Sequence, residues 1–374
     1  MIYKNLELIN KKVSLIGLGT GTFGGKVETN YEEGEDLTNI IKLAYENGIN
    51  FFDTAETYGN GYCEELIGNA LRNKRKNIVI ATKFKPSNSS AKNITKSVDS
   101  SLKRLKTDYI DIYQSHWPNY SIPIESTLEG FERVVKEGKV LSVGFGNVTL
   151  SYLKKVTKIA EQKLPIISIQ NEYSLFERSI ENKIMDYCNL KRIEIIAYSP
   201  LGSGKYLKKI RNSNLIKKLE KKYNLTSIQI LLQWLVVVGN VLPIPMTKNK
   251  LHLNSNAEFF KYSVEKNDLD LISNEFKITQ KKILPKSIMV RNSYSGLFYK
   301  NKDEALKNRF GFSPSPSELS KELIADEMEM LKPIKVKRVK EENGLYNLYE
   351  GQLRFWAWVI AFGSEEPILA TIDE

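Results

Sequence analysis

Eight short apolar runs, each separated from the next by a longer segment with helical spacing, constrain this 374-residue chain more than any other feature. Strands that alternate with helices imply parallel βαβ units. The helix-like segments Asp36–Glu46 and Glu125–Glu137 end near Gly48 and Gly138, as helices before strands often do. The pattern predicts an α/β fold, a (β/α)8 TIM barrel, with strands at Val13–Leu18, Ile49–Asp53, Ile78–Lys83, Tyr109–Ser115, Val140–Phe145, Ile166–Gln170, Ile193–Tyr198 and Val241–Pro245.

Composition narrows the class of protein. The chain is 41% hydrophobic, so it can bury a large core. No apolar stretch approaches the ~20 residues of a membrane span, and the N-terminal residues lack the apolar segment of a signal peptide. Cys63 and Cys188 lie far apart without metal-type spacing, so neither a disulfide framework nor a metal site is predicted. We expect a cytoplasmic protein that does not interact with membranes.

The formal net charge of +11 raises the question of a nucleic-acid partner. Lysine is enriched throughout the chain rather than in one basic patch, which argues against DNA or RNA binding. A local use for the positive charge is attraction of a polyanionic cofactor.

Four polar residues follow three neighbouring predicted strands. Asp53, Lys83 and His116 stand at or just after strand ends, and Tyr58 lies in the loop after Asp53. The carboxyl ends of barrel strands converge on one face, which carries the chemistry of such folds. The four side chains are therefore expected to lie together.

Their types suit hydride transfer to a carbonyl, which needs an acid that protonates the oxygen. Tyr58 would be that acid, and its pKa of about 10 must be lowered for the role. The Lys83 ammonium would stabilise tyrosinate, Asp53 would hold the ammonium in place, and His116 would orient the carbonyl oxygen. Each residue alone also suits an ordinary role, such as a helix cap, a solvated lysine or a packed tyrosine, but the joint placement favours catalysis.

The motifs around these residues resemble those of the aldo-keto reductase family over roughly residues 1–277. Asp53-Thr54-Ala55-Glu56-Thr57-Tyr58-Gly59 is similar to its signature, Ala81-Thr82-Lys83 supplies the lysine, and Ser115-His116-Trp117-Pro118 supplies the histidine. The resemblance implies that Asp53, Tyr58, Lys83 and His116 form a catalytic tetrad that reduces a small-molecule carbonyl with NADPH, or alternatively with NADH.

The same resemblance implies a set of cofactor-binding residues. Asn147 and Gln170 would bind the nicotinamide carboxamide, Tyr198 would stack on its ring, and the loop with Ser199, Leu201 and Gly202 would hold the pyrophosphate. The segment 244–256 is similar to the family's adenosine-phosphate site. The complete predicted set is Gly21, Thr22, Asn147, Gln170, Tyr198, Ser199, Leu201, Gly202, Lys248, His252 and Asn256.

Several positions depart from the family pattern. Many members carry Lys or Gly at the position of Met246, Arg at that of His252 and Glu at that of Ser255. These differences weaken the prediction that the protein prefers NADPH to NADH. Gly146 stands where a serine often precedes the carboxamide-binding asparagine.

A glycine pattern after the first predicted strand admits two interpretations. Gly19-Thr20-Gly21-Thr22-Phe23-Gly24 satisfies G-x-G-x-x-G, which is found in Rossmann dinucleotide sites. We reject a Rossmann site because residues 28–34 interrupt the chain before the helix and because eight units predict a closed barrel. The glycines are interpreted as letting the first loop pass close to the nicotinamide and the substrate.

The substrate pocket is less well defined by the sequence. Phe23, Trp117 and Tyr173 stand near strand ends and could form an aromatic wall. Aromatic residues at such positions are as often packing residues.

Residues 278–374 do not continue the barrel and suit a small second domain, with a join near Thr279–Lys282. A helix is predicted over Pro316–Met330, strands over Pro333–Val339 and Tyr346–Tyr349, and a helix over Gln352–Phe362. The order Pro-Ile-x-Val, hairpin and Glu350–Ala357 resembles the ParB-like (ParB/sulfiredoxin) domain family, which implies an α+β fold.

In that family a Gly-x-x-Arg element at a helix start can bind a nucleotide phosphate. The resemblance implies that Gly351 and Arg354 form such a phosphate site, with Glu350 acting beside them. The alternative is that Arg354 pairs with a carboxylate and Gly351 only makes a turn. Residues 278–374 contain 15 Lys plus Arg against 14 Asp plus Glu, so DNA binding is not expected. Both cysteines lie in the barrel, which excludes sulfiredoxin activity.

Three functions follow from this organisation. The first is an NAD(P)H-dependent reductase of an aldehyde or ketone, for example a sugar or related metabolite, with a nucleotide-handling or regulatory C-terminal domain. The second is an NADPH-binding sensor or scaffold whose C-terminal domain acts on a ligand or partner. The third is a pair of domains that perform successive steps on one metabolite.

Overall fold

A computed structural model describes residues 1–24, 31–160, 163–181, 183–290, 297–312, 314–339 and 344–373. Its contacts divide the chain into two compact units. The first unit contains Met1–Val148 and Lys155–Phe276, and the second contains Thr149–Lys154 and Lys277–Glu374. Within the described ranges, no helix is long and apolar enough to cross a membrane.

The first unit begins with an antiparallel hairpin, β1 (Tyr3–Leu6) and β2 (Lys11–Ser14). Eight parallel strands follow and form one sheet in chain order. They are β3 (Leu18–Gly19), β4 (Phe51–Asp53), β5 (Val79–Phe84), β6 (Ile110–Ser115), β7 (Val140–Gly146), β8 (Ile166–Glu172), β9 (Glu194–Tyr198) and β10 (Leu242–Pro243).

Two backbone hydrogen bonds close this sheet into a barrel. The Gly17 N–H donates to the Pro243 oxygen at 2.9 Å, and the Gly19 N–H donates to the Pro245 oxygen at 3.2 Å. A Cβ atom on Gly19 would lie 2.9 Å from the Ile244 oxygen, so glycine permits the close approach of the two strands. The predicted (β/α)8 barrel is confirmed.

Helices connect the barrel strands and cover the sheet. They are α1 (Tyr31–Glu46), α2 (Tyr62–Leu71), α3 (Ala91–Leu105), α4 (Ile124–Lys136), α5 (Leu150–Ala160), α6 (Ile184–Lys191), α7 (Leu207–Asn212), α8 (Asn214–Tyr223), α9 (Ser227–Val237), α10 (Lys250–Ala257) and α11 (Lys266–Glu275). Gly48 and Gly138 follow α1 and α4 with positive φ, as their stop positions predicted.

One predicted strand and one predicted interruption differ from the structure. The run Val13–Leu18 divides between hairpin strand β2 and barrel strand β3, because buried Val13 joins the apolar filling of the barrel with Phe51 and Leu242. An apolar run in the sequence does not distinguish a hairpin strand that covers the inside of the barrel from a strand of the barrel itself. Helix α1 begins at Tyr31, so part of the interruption predicted at 28–34 is helical, and 28–30 lie outside the described residues.

The second unit contains a mixed five-stranded sheet among the residues that the structure describes. Its strands lie in the order β11 (Thr279–Ile283), β15 (Ile368–Asp373), β13 (Ile334–Arg338), β14 (Tyr346–Glu350) and β12 (Ile288–Met289). The stretch 279–282, predicted as the join, lies within β11. Buried Ile334, Val336, Leu348, Phe355 and Trp358 belong to its core. Its described helices are α12 (Lys302–Leu306), α13 (Pro316–Ala325) and α14 (Gln352–Phe362).

Candidate active site

The structure brings the four predicted tetrad residues together at the carboxyl ends of neighbouring strands. Asp53 ends β4, Lys83 lies near the end of the adjacent strand β5, and His116 follows β6. The fully buried Lys83 Nζ lies 2.9 Å from Asp53 Oδ1 and 3.4 Å from Tyr58 Oη. It also donates to the Thr54 backbone oxygen at 2.7 Å.

Lys83 is held as a cation. Burial opposes its charged form, but the Asp53 carboxylate and the hydrogen bonds to Asp53 and Tyr58 outweigh burial and raise its pKa above the ordinary value. The ammonium also lies 4.8 Å from the centre of the Tyr58 ring. A fixed positive charge therefore stands beside the phenol oxygen at neutral pH.

The pKa of Tyr58 differs from the sequence-based expectation. Burial raises the pKa of the phenol above 10, and the opposing effect of the Lys83 ammonium does not overcome it. The expectation of a lowered pKa is thus wrong, because the burial of the hydroxyl could not be inferred from the sequence. Tyr58 carries its proton at neutral pH, so it can act as a general acid without the lowered pKa that the sequence-based argument required.

His116 is a neutral imidazole at physiological pH. Burial and the nearby Lys83 charge lower its pKa to about 3. Its Nδ1 atom lies 3.3 Å from Thr57 Oγ1, and its ring meets the Tyr58 ring edge-on at 5.5 Å between centroids. A neutral ring in this position can form a hydrogen bond with an oxygen beside Tyr58 without adding charge.

This pKa gives a testable pH dependence. Because the pKa of His116 is lowered to about 3, the imidazole stays neutral at every pH above that value. We expect kcat for carbonyl reduction at saturating cofactor and substrate to show no histidine ionisation between pH 5 and 8. A kcat profile with a midpoint near 6.5 that disappears in His116→Asn would contradict this assignment.

The residues predicted to bind the carboxamide lie directly against the tetrad. Asn147, with a left-handed φ of 57°, donates through Nδ2 to the His116 backbone oxygen at 2.9 Å. Its Oδ1 accepts a hydrogen bond from Tyr198 Oη at 2.8 Å. Gln170 donates through Nε2 to Asp53 Oδ1 at 2.6 Å, a contact that the sequence did not predict.

The packing around Gly146 explains one departure from the family pattern. A Cβ atom at this position would lie 2.6 Å from the His116 backbone oxygen. A serine does not fit this backbone without movement of the strand ends. Glycine therefore allows the chain that carries Asn147 to approach His116 closely.

The remaining predicted cofactor residues lie on two short segments. Ser199 and Gly202 have left-handed φ values of 47° and 61° in a tight loop after β9, in which the Gly202 N–H donates to the Ser199 oxygen. Leu201 lies between them. Lys248 precedes α10, whose first turn carries exposed His252 and whose last turn carries buried Asn256.

The first loop, which carries Gly21 and Thr22, lies against the tetrad. A Cβ atom on Gly21 would lie 3.5 Å from Tyr58 Cζ, so the loop passes over the phenol ring. The Thr22 N–H donates to Met246 Sδ at 3.2 Å. Met246, a departure from the family pattern, thus joins the first loop to the segment that contains Lys248.

The three predicted substrate-binding aromatics have different environments. Trp117 is 43% exposed, whereas Phe23 and Tyr173 are buried. The Tyr173 ring stacks on Trp234 at 5.6 Å, and its hydroxyl donates to Glu181. In this structure Phe23 and Tyr173 are packing residues, and Trp117 is the one of the three that offers an exposed surface to a substrate.

In the second unit, Gly351 and Arg354 lie in contact. Gly351 precedes α14 with φ of 97°, and a Cβ atom there would lie 2.7 Å from Arg354 Nη2. The same nitrogen donates to the Pro333 oxygen at 3.2 Å. The half-buried guanidinium therefore lies over the start of the helix.

Sequence reasoning missed residues that orient the predicted ones. The Asn171 side chain fixes the backbone that follows Asn147, because it accepts a hydrogen bond from the Val148 N–H and donates one to the Val148 oxygen. Asn249 caps α10 by accepting from the Leu251 and His252 N–H groups. An asparagine before a helix is a recognisable capping pattern, but no sequence pattern indicated Asn171.

Comparisons with known proteins agree with this geometry. Residues 15–274 match the model of the aldo/keto reductase family. A probable aldo-keto reductase 1 of Glycine max is 31% identical over 295 residues, covering 69% of this chain and 84% of that protein. The glyoxal reductase of Bacillus subtilis is 28% identical over 272 residues, covering 72% and 92%.

The fold agrees as well. A crystal structure of an aldo/keto reductase from Klebsiella pneumoniae in complex with NADP and acetate superposes with a TM-score of 0.65 at 27% identity. It covers 71% of this chain and 92% of that one. This chain belongs to the aldo/keto reductase family and is an NAD(P)H-dependent reductase, as its motifs predicted.

Proposed function

We propose that this protein reduces an aldehyde or ketone with NADPH and that Tyr58 is the acid that protonates the carbonyl oxygen. The observation that carries the assignment is the fully buried Lys83 Nζ, which lies 2.9 Å from Asp53 and 3.4 Å from the Tyr58 hydroxyl. A buried, charged lysine beside a protonated phenol stabilises the negative charge that the phenol acquires when it gives up its proton.

Each tetrad residue has its own role in this reaction. NADPH, when bound, supplies the hydride to the carbonyl carbon. Tyr58 gives its proton to the carbonyl oxygen, and Lys83 stabilises the phenolate that remains. Asp53 keeps the ammonium charged and in place, and the neutral His116 orients the substrate oxygen by a hydrogen bond.

The donor set fits a dinucleotide cofactor. Asn147 and Gln170 place two side-chain amides beside the tetrad, where a carboxamide needs both donors and acceptors. Lys248 stands before the capped start of α10, where a cation and helix N–H groups together suit a phosphate. The Klebsiella relative was solved with NADP, which supports the same assignment.

Lys248 is the residue that we expect to favour NADPH over NADH. Lys248→Ala should raise KM for NADPH by about tenfold and KM for NADH much less, because a charge-assisted hydrogen bond contributes roughly 1.5–3 kcal/mol. Steady-state kinetics with both cofactors test this expectation. Lys217→Ala, which changes an exposed lysine of α8 outside segment 244–256, is the matched control. Equal KM increases for the two cofactors would contradict the assignment.

The experiment that tests the proposed function is a fluorescence titration with NADPH and NADH, followed by oxidation rates with a panel of aldehydes, ketones, sugars and dicarbonyls. Dicarbonyls belong in the panel because one relative is a glyoxal reductase. Saturable binding with turnover is expected. Tight binding without turnover on any carbonyl would instead favour an NADPH-binding sensor or scaffold, and absence of binding would overturn the cofactor assignment.

For the second unit we propose a ParB-like domain that binds a nucleotide or another phosphate-bearing ligand at Gly351 and Arg354. Support comes from the guanidinium that lies over the left-handed glycine at the start of the 11-residue helix α14. Backbone N–H groups and an arginine suit a phosphate. A regulatory or nucleotide-dependent role, or a second reaction step on one metabolite, would depend on this site.

This proposal has its own test. Isothermal titration of the full chain with ATP and with inorganic phosphate, in saturating NADPH, should show binding that Arg354→Ala removes. Arg309→Ala, which changes an exposed arginine of the same unit, should leave it unchanged. Unchanged binding in Arg354→Ala, or absence of binding in the unaltered protein, would overturn the proposal.

A further inference from the structure

The Asp53 carboxylate is held by two groups. Oδ1 lies 2.9 Å from Lys83 Nζ and also accepts the hydrogen bond from Gln170 Nε2 at 2.6 Å, while Oδ2 accepts a further hydrogen bond from Lys83 at 3.0 Å. Asp53 and Gln170 are 2% and 4% exposed, so solvent does not replace either contact. Gln170 therefore helps to fix the plane of the carboxylate that holds the lysine.

This arrangement has a consequence for the acid. The 3.4 Å distance between Lys83 Nζ and Tyr58 Oη depends on where Asp53 holds the ammonium. If Asp53 loses the Gln170 hydrogen bond, its side chain can rotate and draw Lys83 away from the phenol oxygen.

We propose that Gln170 is a positioning residue for the tetrad: it holds Asp53, and through Asp53 it sets the distance between the Lys83 ammonium and the Tyr58 hydroxyl. This role adds to the carboxamide contact that family resemblance implies, and it rests on the proposed reductase function. Because one amide nitrogen carries two hydrogens, the same group can bond to Asp53 and to a second acceptor. Binding of the cofactor carboxamide to Gln170 would then also affect the position of Asp53.

Gln170→Glu is the informative variant because it preserves shape and removes the amide donor. Two carboxyl groups at 2.6 Å cannot both ionise readily, so they share a proton at low pH and lose it as the pH rises. The protonated pair imitates the hydrogen bond of the unaltered protein. When both groups are ionised, the two carboxylates repel each other, which moves Asp53 and with it the Lys83 ammonium.

The measurement is kcat at saturating NADPH and substrate between pH 5 and 8. In Gln170→Glu we expect kcat to fall by about tenfold or more as the pH rises, an ionisation that the unaltered protein lacks. Gln170→Asn, which is too short to reach Asp53 in the same position, should lower kcat at all these pH values. Its KM for NADPH reports the carboxamide contact separately.

The outcomes separate the two roles. If both variants change only KM for NADPH and keep the kcat and pH profile of the unaltered protein, Gln170 acts on the cofactor alone and the proposal is overturned. If Gln170→Glu does not fold, Gln170→Asn decides by its kcat at saturating NADPH. Absence of turnover in the unaltered protein would instead overturn the proposed reductase function.

Discussion

Replacing Tyr58 with phenylalanine is expected to lower kcat for carbonyl reduction by about 10²–10⁴-fold, the usual contribution of a positioned general acid. The substitution removes only the hydroxyl that lies 3.4 Å from Lys83 Nζ and keeps the ring that packs edge-on against His116. The affinity for NADPH should therefore stay nearly unchanged. Rates of NADPH oxidation and fluorescence titration of the same preparation measure the two quantities separately.

A matched control is available for this substitution. Tyr262 is 47% exposed and lies outside the tetrad, so Tyr262→Phe should retain full kcat. A Tyr58→Phe protein that keeps more than about a tenth of the original kcat would exclude Tyr58 as the acid, because a general acid contributes more than this.

Replacing Lys83 with methionine is expected to damage both catalysis and stability. The variant leaves the buried Asp53 carboxylate without its cation, and breaking a buried ion pair in this way costs about 3–5 kcal/mol. The phenolate of Tyr58 also loses the charge that stabilises it, so kcat should fall at least as far as in Tyr58→Phe. Chemical denaturation and NADPH oxidation measure the two effects.

A double variant distinguishes these effects. Asp53→Asn combined with Lys83→Met removes both charges, so most of the lost unfolding free energy should return while kcat stays low. Recovery of kcat in the double variant would show that the lysine acts only in folding. Absence of any stability difference between the single and double variants would refute the buried ion pair as a source of stability.

Apolar periodicity predicted the barrel because each of its strands is short, buried and separated by an amphipathic segment. The same criterion placed Val13–Leu18 in one strand, although Val13 belongs to the hairpin and Leu18 to the barrel. In the second unit, helix α14 was predicted at its observed bounds, Gln352–Phe362, but β11 and β15 were not predicted. Strand β11 is mostly exposed and rich in lysine, so its residues carry no apolar pattern.

The candidate site divides in a similar way. The positions of Asp53, Lys83 and His116 at strand ends were sufficient to predict that they lie together, because parallel barrel strands end on one face. The raised pKa of Tyr58 could not be predicted, since it depends on how deeply the hydroxyl is buried. The contact between Gln170 and Asp53 also escaped prediction, because it joins side chains on strands that are not neighbours.

The two hydrogen bonds that close the barrel have a consequence for biosynthesis. Gly17 and Gly19 find their partners, Pro243 and Pro245, near the other end of the barrel sequence. During synthesis on the ribosome, the first barrel strand therefore cannot form these hydrogen bonds until β10 has emerged. Contacts of such large sequence separation slow folding, and the nascent apolar face that they cover stays available to chaperones until then.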